Sequence, residues 1–141
     1  MKVFMRRRWW LALFLAALAL PAVGVGNADA SSMNGTWRIE NLVLEIFDCQ
    51  QLVCGRIVWI GEEALRPAQC GKTIVWGLAQ ATPTAWNGGA ILDPNDGKTY
   101  RLSATYQPDG ELRARIFLGI EPLGQTKMLK RVDIHSFSGR C

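Results

Sequence analysis

From residue 36 onward, apolar and polar residues alternate in short runs with a period of two, the pattern of half-buried strands. Residues 36–40 (TWRIE) and 43–47 (VLEIF) are the first two runs, separated at Asn41. Residues 55–60 form a third, more continuously apolar run, and 73–78 a fourth. Residues 89–92 and 99–106 flank Asp93-Pro94-Asn95-Asp96-Gly97, a cluster of turn formers, and predict a hairpin. In its second arm Tyr100, Leu102, Ala104 and Tyr106 share one face. The turn Pro108-Asp109-Gly110 leads to a strand over 112–118, and a last strand covers 126–132. Residues 61–69 and 79–85 read as loops, and 133–141 as a tail. Gly88-Gly89 marks a bend or bulge that a Cβ would block.

About eight short strands in meander order predict an all-β, antiparallel domain. Closure into a single up-and-down barrel would leave no strand edge unpaired. No window of 31–141 carries a capped helical period.

Residues 1–30 read differently. Lys2, Arg6, Arg7 and Arg8 precede an apolar run over 9–20, then Pro21 and the small-residue pair Ala28 and Ala30. This is the layout of a secretory signal peptide cleaved after Ala30, leaving 31–141 as one domain in the periplasm or outside the cell. The leader changes the charge balance. The whole chain is +4, from 16 basic and 12 acidic residues, but four of the basic residues and one acid lie in the leader. The remainder carries 12 basic and 11 acidic residues, a net of +1. Such a chain has no electrostatic drive toward nucleic acid. No later apolar run is long enough to span a membrane.

All four cysteines, Cys49, Cys54, Cys70 and Cys141, follow the leader. An even number in an exported chain favours disulfides, and four cysteines allow three connectivities. Cys49 and Cys54 flank the tip between the second and third strands, where a hairpin brings such positions into range. The expectation is therefore Cys49–Cys54 and Cys70–Cys141. The competing reading is a zinc site built from the cysteines and His135, but paired short ligand spacings are missing.

Gly35-Thr36-Trp37, CGRIVW (54–59), CGKTIVWGL (70–78), WNGGAILDP (86–94), GKTY (97–100) and LRARIFLG (112–119) together resemble the exported bacterial proteins called DUF2147. The resemblance runs in order over nearly all of 35–132. It implies a lipocalin-like barrel and carries no assigned activity. The short stretch 62–69 and Met128-Leu129 depart from the family's usual pattern, which weakens any ligand role for those regions. Gly35-x-Trp37 also resembles the start of a lipocalin. There the tryptophan closes the barrel floor against a basic residue of the last strand, here Lys130 or Arg131.

Candidate chemistry is sparse. His135 is the one histidine, and no nucleophile elbow, HExxH or phosphate loop is present. The expectation is a non-enzymatic protein without a cofactor. Asp93, Asn95 and Asp96 resemble calcium ligands, but Gly97 has the wrong offset for an EF-hand loop, so a plain turn is the reading. Arg101, Arg113 and Arg115 share a polar face, either solvated or offered to an acidic partner. Trp59, Trp76, Trp86 and Tyr100 either fill the core or line one cavity for a small apolar ligand. Two functions remain: binding of such a ligand, or an envelope interaction or stress-associated role for a barrel packed solid.

Overall fold

The computed structural model of the protein describes residues 32–141. The leader and its cleavage site after Ala30 lie outside the described residues.

Eight antiparallel strands form one closed barrel in sequence order. They are β1 (Gly35–Ile39), β2 (Leu42–Cys49), β3 (Leu52–Ile60), β4 (Thr73–Thr82), β5 (Ala85–Leu92), β6 (Thr99–Tyr106), β7 (Leu112–Phe117) and β8 (Gln125–Arg131). Each strand pairs with the next, and β1 pairs with β8 through Trp37↔Arg131 and Arg38↔Lys130. Two further bonds extend this short seam: the Val132 N–H donates to the Thr36 carbonyl at 3.0 Å, and the Thr36 hydroxyl to the Val132 carbonyl at 2.5 Å. Closure satisfies the ladder groups that an open sheet would leave bare.

The alternation places side chains as its period requires. Leu112 and Ala114 of β7 are buried opposite Leu129 and Lys127, while Arg113 points outward. Ser103 is the exception on β6. It is buried on the outer side because a short 3-10 turn (Glu121–Leu123) covers it, and its hydroxyl donates to the Glu121 carboxylate at 2.6 Å.

Glycine sets the barrel's curvature at Gly88-Gly89. The β5–β6 register shifts between Trp86 and Gly89, and Gly88 sits at φ 75°. A Cβ on Gly89 would meet Leu78 Cγ at 2.5 Å. The pair therefore forms the bulge expected of it.

The structure corrects two loops. Residues 79–85 are mostly strand: β4 runs to Thr82 and β5 starts at Ala85, leaving Pro83 and Thr84 as the turn. Residues 79–82 are all exposed, so they show no burial alternation, and the ladder to β5 holds them by backbone bonds. Within 61–69 the chain forms a 3-10 turn (Glu63–Leu65) and one helical turn, α1 (Arg66–Gln69), with Pro67 in its first turn. Among the described residues no helix is long and apolar enough to cross a membrane.

Both disulfides form as the spacing suggested. Cys49–Cys54 ties the β2–β3 hairpin with Cα atoms 5.9 Å apart. Its two-residue turn places Gln50 and Gln51 at positive φ, as a primed hairpin turn requires. Cys70–Cys141 joins the tail to the end of α1, Cα to Cα 5.2 Å. No cysteine is left free, so the zinc alternative has no thiolate to use.

Candidate ligand cavity

The barrel is packed at one end and hollow at the other. At the packed end Met33, Trp37, Trp86, Ala104, Leu112 and Leu129 belong to one buried cluster. Trp37 is fully buried; its indole N–H donates to the Met33 carbonyl at 2.9 Å, and Tyr106 meets the ring edge-on at 5.9 Å. The Arg131 guanidinium lies over the Trp37 ring, 4.3 Å from its centroid. Arg131 also donates to the Asn34 carbonyl at 2.9 Å. The residues leading into β1 are thereby drawn across the floor.

The opposite end, formed by the β1–β2, β3–β4, β5–β6 and β7–β8 connections, opens into a cavity of about 510 Å³. That volume lies within the usual range for small-molecule sites. Its buried walls are Leu44, Ile60, Ile74 and Phe117. Ile39, Leu42, Ile91 and Ile116 add partly buried aliphatic surface. The same inner positions continue into the packed half, where only about 20 Å³ of void remains.

Two connections are fixed at the lip. The β7–β8 connection is held by the Ser103–Glu121 bond and by Arg115, which donates to the Glu121 carbonyl at 2.6 Å. These bonds set Leu118 and Leu123 at the mouth, 61% and 80% exposed. The β3–β4 connection is held by Arg66, which donates to the Ile60 carbonyl at 3.0 Å, and by the Cys70–Cys141 disulfide. It contributes Leu65 to the lining.

Polar groups of the lining belong to the mouth. Glu40, Asn41, Glu62, Asp93, Asn95, Asp96, Gln125 and Lys127 all lie in turns or near strand ends. Lys127 and Glu40 form an ion pair between neighbouring elements at the open end of the β1–β8 seam. Asp93 and Asp96 cap their own turn, accepting from the Asn95 and Lys98 N–H groups at 2.8 and 2.7 Å. The Tyr100 hydroxyl donates to Asp96 at 2.5 Å. That bond, followed by the Lys98 N–H, holds the Asp96 carboxyl below the usual carboxylate range, and the same Tyr100–Asp96 bond pushes the Tyr100 phenol up. Among the described residues no cluster of three or more His, Cys, Asp or Glu is placed to hold a metal ion.

The four aromatics singled out by sequence do not share this cavity. Tyr100 lines it. Trp86 is buried in the packed half, opposite Ala104, because β5 begins at that end. Trp76 is 39% exposed. Trp59 holds the tail: it packs against Phe137 with ring centroids 4.9 Å apart, and its indole N–H donates to the Ser138 carbonyl at 2.8 Å. Trp86 misses the cavity by strand direction, since antiparallel neighbours send comparable strand ends to opposite rims, whereas Trp59 and Trp76 miss it because their side chains lie on the outer face. The wall residues that sequence reasoning missed are aliphatic. Their signal is position, inner face and open-end half, rather than residue type.

A closed eight-stranded meander with a tryptophan-sealed floor and a hollow open end is a lipocalin-like barrel. The chain belongs to the family described as "Uncharacterized protein conserved in bacteria (DUF2147)", whose model matches residues 35–131. Among solved structures it is similar to HP1028 of Helicobacter pylori, described as belonging to the lipocalin family. The identity is 14%, with a TM-score of 0.61 over 74% of this chain and 86% of that one. The likeness shows a shared fold. No curated protein matches the chain.

Proposed function

We propose that this protein is exported to the periplasm or beyond and binds a small, mainly apolar molecule in the open half of its barrel, without catalysing a reaction. One observation carries the reading: a cavity of about 510 Å³, aliphatic in its depth and polar at its mouth, that opens at the end opposite the Trp37 floor. A barrel that used its interior only for stability would fill both halves, as this one fills its lower half. Two disulfides and the leader pattern support export. The near-neutral domain argues against nucleic acid as a partner.

The second reading, an envelope interaction role, loses its premise of a solidly packed barrel. It keeps one supporting observation, the exposed Leu118, Ile120 and Leu123 beside the mouth. Mass spectrometry of organic extracts from protein purified out of its native envelope separates the two. Binding predicts a stoichiometric small molecule in the extract. A surface role predicts none, with a co-purifying protein lost when the three exposed residues become serine.

A further inference from the structure

The geometry points to a cation-headed amphiphile as the molecule that fits the cavity, its apolar chain in the chamber and an ammonium group at the mouth. The inference rests on the binding reading above and specifies the ligand's charge.

The site is the cavity, and its two zones ask for different chemistry. Every buried residue of the lining is apolar, so the chamber offers no partner to a polar body. Charge is confined to the mouth, and it is unbalanced. Glu40, Glu62, Asp93 and Asp96 contribute four carboxylates to the lining, and Lys127 the one cation. Lys127 is already paired with Glu40. Among the described residues, Glu62, Asp93 and Asp96 have no ion-pair partner. Lys98 follows on the same turn, gives Asp96 its backbone N–H and attracts it through its charge, but it neither forms an ion pair with it nor lines the cavity.

Three carboxylates without an ion pair, against no free cation in the lining among the described residues, oppose an anionic head and attract a cationic one. Tyr100 adds an aromatic surface beside Asp96, and aromatic faces favour ammonium groups. A fatty acid would bring a fourth negative charge without an ion pair to the same opening. An alkyl amine or alkylammonium brings the complementary one.

Calorimetric titration of the oxidised protein with three decyl compounds tests this: decyltrimethylammonium and decyl sulfate below their micelle-forming concentrations, and decanol below its solubility limit. The expected order is cation, then alcohol, then sulfate, with the cation favoured over the alcohol on the order of tenfold in low salt. The preference should shrink as salt is added. Glu62→Gln, whose side chain makes no hydrogen bond within the described residues, should narrow the gap between cation and alcohol. The triple variant Glu62→Gln/Asp93→Asn/Asp96→Asn should narrow it further, and its amides keep the turn's acceptor oxygens.

Decyl sulfate binding as tightly as the cation overturns the charge inference and leaves the cavity reading standing. So does a cation preference unchanged in both variants. Failure of all three compounds to bind overturns both.

Discussion

Arg131, in the last strand, lays its guanidinium 4.3 Å from the ring centroid of Trp37, in the first. The contact sits on the seam that closes the barrel and seals its floor. Arg131 further serves the Asn34 carbonyl and, at 3.5 Å, the Tyr106 hydroxyl. Arg131→Met should therefore remove a cation–π contact and a charged hydrogen bond together, lowering stability by about 2 kcal/mol in urea unfolding. Gly35→Ala should cost at least ~1 kcal/mol, because Gly35 sits at φ 130° and a Cβ would run into the Arg131 guanidinium. Unfolding midpoints matching wild type in both variants would show that the seam needs neither residue.

The two disulfides should differ in effect. Cys70–Cys141 closes a sequence separation of 71, and Cys49–Cys54 one of 5. By chain entropy these correspond to about 4 and about 2 kcal/mol. Cys70→Ala/Cys141→Ala should lose more stability than Cys49→Ala/Cys54→Ala. It should also release the tail from Trp59, seen as a change in indole fluorescence. Equal losses would point to native-state packing rather than loop length as the source.

The tryptophans separate by position. Trp86→Ala should cost about 3–5 kcal/mol, as expected of an emptied core site. Trp76→Ala, at a position on the outer face of β4 that is 39% exposed, should cost less, about 1–2 kcal/mol. Chemical denaturation of the two variants side by side checks this, and the reverse ranking would contradict the placement of β5.

The Tyr100–Asp96 bond gives stability a pH dependence at both extremes. Asp96 has its carboxyl lowered in the fold, so its contribution is present above the ordinary value near ~4 and is lost as pH falls through the lowered one. Tyr100 has its phenol raised, so its contribution is present below about 10 and is lost as pH rises through the raised value. Tyr100→Phe should flatten both limbs of a plot of melting midpoint against pH. A variant profile that parallels wild type throughout would contradict the coupling.

Much of the frame was legible because it is local. The eight strand runs, the Asp93–Gly97 turn, the Gly88-Gly89 bulge and the Cys49–Cys54 pair each follow from neighbouring residues. The ends of β4 and β5 were not legible, because exposed residues 79–82 carry no alternation and are held by ladder bonds alone. The cavity wall was missed for a different reason. Whether an inward residue lines a chamber or fills a core depends on which rim it approaches. That follows from strand register and direction, which residue type does not encode. Ile91 and Trp86 lie on one strand; Ile91 borders the cavity, whereas Trp86 belongs to the packed half.

The most direct measurement is uptake of a neutral, apolar fluorescent dye by the wild-type protein and by Ile91→Trp. Ile91 lines the chamber and is only partly buried, so the larger ring has space to fill. The substitution should cost no more than ~1–3 kcal/mol of stability. The account predicts saturable uptake at one dye per wild-type chain, lost in a variant that keeps its β-sheet circular dichroism. No uptake by wild type, or undiminished uptake by folded Ile91→Trp, would contradict it.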